Sequence, residues 1–497
     1  MHFSFATIPT FVWVLIAFYV IYWIKKPRLS KNEPPMVPYK IPIIGHTIDY
    51  LFNAENFLAE CKKKYGDPFN IYVFGQVNTI AGNVTVHEVF RTEAFSMLNA
   101  TEDIFPLHRV LKSYNLKTLA QVIKTIREGI TANLPLLTGR MQKQLLISID
   151  KEIGDCSNPK LVNNEIFPTM VARPVADVLV GQEISKNEDL VKAFAEFTKD
   201  FGKILAIPPI FSFINPTFNT QVVTLPVRFG WNPIAKHLDT LKKYLKPELE
   251  KRLKDKEVLG DKYEPHLDIV EYFMNNPEYE TKVINDEYLD KICEFLFIIV
   301  VASIHTTSQH MTSTLYDFAG RPELWDDIYE EQVMIDKECN GELSSQHINK
   351  MVKLDSFVRE SFRTFDNIAS EPHRCMEPFT LKNGMTIPKG RIVQTYLMDI
   401  HYNPEAYGPE PRTFFPNHGL ENNLSASRTD KNLFMFGSGR HACPGRFFAV
   451  NEIKVGLHKI ILKYQVKTPS GKTEKKIRVG PVAYPPIAGL IFENRKK

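Results

Sequence analysis

At 497 residues the chain exceeds the usual size of one hydrophobic core, and length alone suggests about three domains. Its composition is that of a globular protein, 44% hydrophobic and 24% charged, with 34 Phe. A net charge of only +4 argues against nucleic acid as a principal partner, and no internal repeat or low-complexity tract is present.

The N-terminus departs from this soluble character. Phe3 to Ile24 carries no charged residue, and its length matches the roughly 20 apolar residues that span a bilayer as a helix. Lys25, Lys26, Arg28 and Lys31 follow at once, whereas the preceding stub has no Lys or Arg. The excess of positive charge predicts an uncleaved anchor with everything after Lys25 in the cytosol. A cleaved signal peptide would need a basic start and a small-residue cleavage site, and neither is present. Glu33-Pro34-Pro35-Met36-Val37-Pro38 then reads as a stiff extended hinge, because clustered prolines cannot continue a helix. The organisation expected is an anchor over 3–24, a basic, proline-rich hinge over 25–45 and one large body over 46–497, since no linker is visible beyond residue 46.

Within the body, Phe69 to Phe74 alternates as a strand does, and residues 115–350 turn largely helical. Gly202 to Arg228 is apolar yet broken by prolines. It reads equally as a core-facing loop or as a segment that dips into a bilayer surface. Lys242 to Lys256 is dense in Lys and Glu and reads as a solvated helix face. After residue 375 short strands and turns dominate, with Phe379–Gly384 as one edge of a hairpin. The expected fold class is mainly α with smaller β regions. Asn83, Asn99 and Asn423 open glycosylation sequons, which a cytosolic body would leave unmodified.

Four stretches carry chemistry. Ala302-Ser303-Ile304-His305-Thr306-Thr307 places small and hydroxyl residues in the middle of a long apolar helix, opened by Asn285-Asp286-Glu287 and ended near Gly320-Arg321-Pro322. Ser and Thr there compete for backbone carbonyls and can open the helix to water. Glu360 and Arg363 lie three apart on one helix face and can pair. Arg374 follows eleven residues after Arg363. Last, Cys443 sits in Phe436-Gly437-Ser438-Gly439-Arg440-His441-Ala442-Cys443-Pro444-Gly445, at the start of a helix. The positive helix end is expected to lower the thiol pKa and favour a thiolate, and no second Cys lies near enough for a zinc site or disulfide. The six cysteines, Cys61, Cys156, Cys293, Cys339, Cys375 and Cys443, are too scattered for a disulfide framework.

The Phe436–Gly445 stretch resembles, position by position, the haem loop of the cytochrome P450 family, Phe-Gly-x-Gly-x-x-x-Cys-x-Gly, and the other motifs stand in the order and spacing of that family. The resemblance implies haem b with Cys443 as axial thiolate ligand and metal site. It makes Phe436 the aromatic that shields the sulfur, Glu360 and Arg363 the buried pair that supports the loop, and Arg374, Arg440 or His441 the partners of the haem propionates. Arg127 is a weaker candidate and reads as a solvated helix residue. Thr306 matches the hydroxyl that orients oxygen at the haem. His305 replaces the usual acid, and His418 stands where an Arg commonly completes the Glu-Arg network. In a protein of this type one oxygen atom of O₂ enters a lipophilic substrate. Here that is expected to be hydroxylation of a steroid or terpenoid at the endoplasmic reticulum membrane. Electrons would come from an NADPH-cytochrome reductase, with cytochrome b5 as a second donor. The alternative within the family is an isomerase or dehydratase acting on a lipid peroxide, against which Thr306 argues.

Overall fold

The computed structural model describes residues 12–13, 19–20, 23, 26–104, 106–205 and 209–496. The predicted membrane-spanning helix therefore lies almost wholly outside the described residues. Among the described residues no helix is long and apolar enough to cross a membrane.

The body is mainly helical around a large apolar core. Helices α1 (Leu134–Glu152), α2 (Phe167–Val180), α3 (Glu188–Leu205), α4 (Asp286–Ala319), α5 (Val352–Arg363) and α6 (Arg446–Lys463) contribute most of it. The central helix, α4, has 34 residues and so runs about 51 Å. Its start follows from local chemistry: the Asn285 side chain accepts from the Tyr288 N–H at 2.8 Å, and Asp286 and Glu287 face the positive helix end. Gly456 lets α6 approach α4 closely, since a Cβ there would stand 2.6 Å from the Met311 methyl.

Five strands form the main sheet: β1 (Phe69–Val73), β2 (Gln76–Ala81), β3 (Phe95–Ser96), β4 (Ser370–Cys375) and β5 (Ile392–Thr395). Their order is β1-β2-β5-β4-β3, with only the β2–β5 pair parallel. The β4–β5 register slips between Ser370 and His373, where Glu371 takes a φ of 52°. Strands Lys160–Val162, Tyr464–Lys467 and Leu490–Asn494 form a second sheet, and Phe379–Thr380 pairs with Thr386–Ile387 as the expected hairpin.

The proline-rich segment is pinned to the body. Val37 donates to the Asn70 carbonyl at 2.9 Å, and Asn70 donates in turn to the carbonyls of Pro34 and Pro35. Glu33 forms a buried ion pair with Arg391 at 2.6 Å.

Two sequence readings are refined. Lys242–Lys256 lies in the helix Ala235–Leu259, which does have a solvated face, but it also buries Leu241, Leu245 and Leu249 along one side. Residues 210–228 form short helical turns whose apolar side chains, including Ile210, Ile214, Phe218 and Leu225, are exposed together with Phe229 and Trp231. Val223 is buried in the core with Val227 against it, so the described part of the segment faces both the core and the surface, and residues 206–208 lie outside the described residues.

Candidate active site

Cys443 begins at a loop held on three sides. Its own N–H donates to the Phe436 carbonyl at 2.8 Å, closing the loop. The Thr131 hydroxyl, on a π-helical turn Ile126–Thr131, donates to the Pro444 carbonyl at 3.0 Å. Phe436 meets Phe362 of α5 edge-on at 5.6 Å. Two glycines make the turn possible. Gly437 has a φ of 66° and would drive a Cβ to 2.9 Å from the His441 carbonyl, while Gly439 has a φ of 56° against the Phe90 carbonyl.

The N–H groups of Gly445 and Arg446 point at the Cys443 sulfur, as a helix start should. The expected low thiol pKa does not follow. Burial raises it above the ordinary value and outweighs those N–H groups and the Arg446 guanidinium, while Glu371 adds to the rise. A metal cation bound at the sulfur would displace the proton and hold it as thiolate. All six cysteines are free, and among the described residues no three His, Cys, Asp or Glu side chains gather as a metal cage.

Helix α4 supplies the facing wall. Ile292 to Val300 is buried and so are Thr307 and Ser308, yet Ala302, His305 and Thr306 between them are exposed, which marks an open space inside the molecule. Here the predicted hydroxyl–carbonyl competition is present. Ser303 donates to the Ile299 carbonyl and Thr306 to the Ala302 carbonyl, each at 2.7 Å. His310, one turn on, ties α4 to the loop: its Nδ1 lies 2.8 Å from the Thr306 carbonyl and its Nε2 3.0 Å from the Met435 sulfur. Burial lowers the pKa of His305 and drives that of His310 down to about 4.

Glu360 and Arg363 form the expected buried pair at 2.6 Å. The third partner is not His418. The Phe415 N–H takes the remaining place on Glu360 at 2.6 Å, and the His418 ring bonds the Ala406 carbonyl and leans on Tyr407 at 4.8 Å. A main-chain donor replaces the side chain expected there.

The candidates for a propionate separate clearly. Arg440 is turned outward onto Glu93, whereas His441 is tucked between Phe90 and His373 with a buried Nε2 that has no hydrogen-bond partner. His441 is the inward one, and Arg440 is corrected to a surface ion pair. Arg374 is half-buried and projects from the opposite face of β4 to its neighbour His373, which meets His441 at 5.0 Å. Arg127 is exposed, as expected, but its charge acts on Arg446, which places it beside the loop. Sequence reasoning missed Glu371. Its carboxyl accepts from the Gly437 N–H, keeps a buried oxygen without a partner, and is pushed up to about 8 by burial. The only local signal was an acid before Pro372, which reads as an ordinary loop residue.

A thiol that alone among the six free cysteines is only partly buried, unpartnered buried polar atoms on His441 and Glu371, and glycine turns that a Cβ would obstruct together suit a flat, carboxylate-bearing metal macrocycle. The family model for cytochrome P450 matches residues 34–490. The chain belongs to the cytochrome P450 family. It is similar to the cytochrome P450 monooxygenase braC of Annulohypoxylon truncatum, at 26% identity over 475 residues covering 90% of this chain and 88% of that one. Cytochrome P450 monooxygenase janP of Penicillium janthinellum is 25% identical, with 98% and 95% covered. Cytochrome P450 monooxygenase 103 of Postia placenta is 27% identical, with 93% of each covered. This P450 is thus an oxidoreductase, a haem-thiolate monooxygenase whose cofactor is haem b with an axial cysteine thiolate on its iron. Membership also implies a redox partner and a lipophilic substrate.

Proposed function

We propose that Cys443 is the axial ligand and that the chain hydroxylates a steroid or terpenoid. Electrons come from an NADPH-cytochrome reductase, with cytochrome b5 as a second donor, and the protein sits as a single-pass anchor in the endoplasmic reticulum membrane with residues 46–497 in the cytosol. The carrying observation is the Cys443 sulfur under the Gly445 and Arg446 N–H groups, in a loop tied through Met435 to the open stretch of α4. Bound haem supplies the oxygen activation, in which O₂ takes up two electrons and two protons, one oxygen atom enters the substrate and the other leaves as water.

The chain's residues do the rest. The Thr306 hydroxyl donates its hydrogen bond to the Ala302 carbonyl, so its oxygen lone pairs are left to accept a hydrogen bond from the open space. His305 sits beside it and assists proton delivery. His441 binds a propionate through its inward ring, and Arg374 remains a further candidate on β4. Glu360 and Arg363 fix the approach to the loop, and Phe436 limits water at the sulfur.

Membrane attachment is supported by the uncharged Phe3–Ile24 run and by the exposed apolar side chains of residues 210–231. Spectral titration of the purified holoprotein against steroids, terpenoids and fatty acids, followed by turnover with NADPH, reductase and O₂, tests the substrate class. Oxidation of a steroid or terpenoid is the expected result. Turnover of a lipid hydroperoxide with no NADPH-dependent reaction would establish the isomerase or dehydratase reading instead.

A further inference from the structure

Ala302, His305, Thr306 and Gln309 stand at positions that share one face of α4, the face left open at its centre. The Gln309 amide nitrogen lies 2.9 Å from His305 Nε2. With the amide nitrogen rather than the amide oxygen facing the ring, Gln309 donates and Nε2 accepts, an arrangement that puts the ring proton on Nδ1. No protein acceptor meets Nδ1 among the described residues.

We propose that Gln309 is a positioning residue, which locks His305 as a neutral Nδ1–H donor directed at a water in the active-site space. Such a donor makes the water it binds a better acid while the ring keeps its own proton. The proton delivered comes from that water, which is replenished from solvent, and the imidazole neither gains nor loses one. His305 therefore does not shuttle by protonating, as the acid usual at this position would. The lowered pKa of His305, which comes from burial alone, agrees with a ring that stays neutral. The inference rests on the haem-thiolate reading and refines how Thr306 and His305 share the task.

Two substitutions separate tautomer from packing. In Gln309→Glu the carboxylate only accepts, so it holds Nε2–H and turns Nδ1 into an acceptor. In Gln309→Leu the ring loses its partner and populates both forms. The deciding measurement is ¹⁵N NMR of histidine-labelled full-length protein in its diamagnetic carbon monoxide form, with His305→Phe to assign the resonance. Wild type is expected to carry the proton on Nδ1, Gln309→Glu on Nε2, and Gln309→Leu a mixture. With reductase, NADPH and whichever of progesterone and lauric acid shifts the haem spectrum, peroxide released per NADPH should rise about tenfold in Gln309→Glu, as loss of one hydrogen bond of about 1.4 kcal/mol corresponds to, and by less in Gln309→Leu. Oxidation of the same lipid driven by cumene hydroperoxide, which brings its own proton, should change far less than the NADPH-driven reaction. A wild-type ring protonated on Nε2 overturns the proposal, as does an equal fall in the peroxide-driven reaction, which would mean packing alone. A wild-type carbon monoxide complex without the thiolate band would instead remove the haem-thiolate reading beneath it.

Discussion

Arg363 uses every donor a guanidinium has. Its five N–H groups reach both oxygens of Glu360 and the carbonyls of His401, Pro411 and Thr413, with 1% of the side chain exposed. Lysine has three donors and no planar fork, so Arg363→Lys leaves buried groups unpaired and should cost about 3–5 kcal/mol. A lower melting temperature and reduced haem content after expression would show this. His401 acts on the same region, since its Nε2 accepts the Phe434 N–H at 3.1 Å and burial holds its pKa down at about 3. A neutral folded ring stabilises fully above the unfolded value near 6.5, and that contribution is lost as the pH falls toward 3, at about 1.4 kcal/mol per pH unit. His401→Gln should be flatter than wild type in denaturant midpoint between pH 6.5 and pH 5, and equal slopes would refute this. At this scale the buried Glu360–Arg363 pair was legible because its two members lie one helical turn apart. Glu371 and the Phe415 N–H were not, because they meet the site only through chain folding from 66 and 55 residues away.

Among the elements, the loop before α6 and the middle of α4 decide the site. Gly437→Ala places a Cβ on a left-handed residue and against the His441 carbonyl, a loss of about 1–2 kcal/mol from backbone strain before the clash. Spectroscopic haem content should fall while helix content by circular dichroism is retained. Glu294 on α4 pins a neighbouring segment, since its carboxylate accepts from the N–H groups of Lys112 and Ser113 at 2.9 and 2.6 Å. Glu294→Leu keeps bulk and removes the acceptors. Amide hydrogen exchange at residues 107–115 should rise about tenfold, the opening expected when about 1.4 kcal/mol of hydrogen bonding is lost. The limits of α4 were legible from the Asn285 cap and the Gly320-Arg321-Pro322 stop, because both ends are set by local chemistry. The direction of the apolar side chains at 210–228 was not, since period and composition are the same for a segment facing the core and one facing a bilayer.

For the whole molecule, two features bear on attachment. Glu33 and Asn70 clip the proline-rich segment onto the main sheet, so the chain leaves the body in a fixed direction. The exposed apolar side chains around Phe229 and Trp231 offer a second contact. A chain lacking residues 1–25 should still sediment with phospholipid vesicles, and Phe229→Asp with Trp231→Asp should abolish this, whereas a truncated protein that stays in the supernatant would confine any membrane attachment to residues 1–25. The single P450 domain was legible as an absence of linkers rather than from length, which alone pointed to several domains. The central claim is that the Cys443 thiol holds the haem iron. Its most direct test is the absorption spectrum of the dithionite-reduced protein under carbon monoxide, recorded for wild type and Cys443→Ala. The account predicts a thiolate-type Soret band in wild type that is absent from the variant. A wild-type protein with bound haem but without that band, or a band that survives Cys443→Ala, would contradict it.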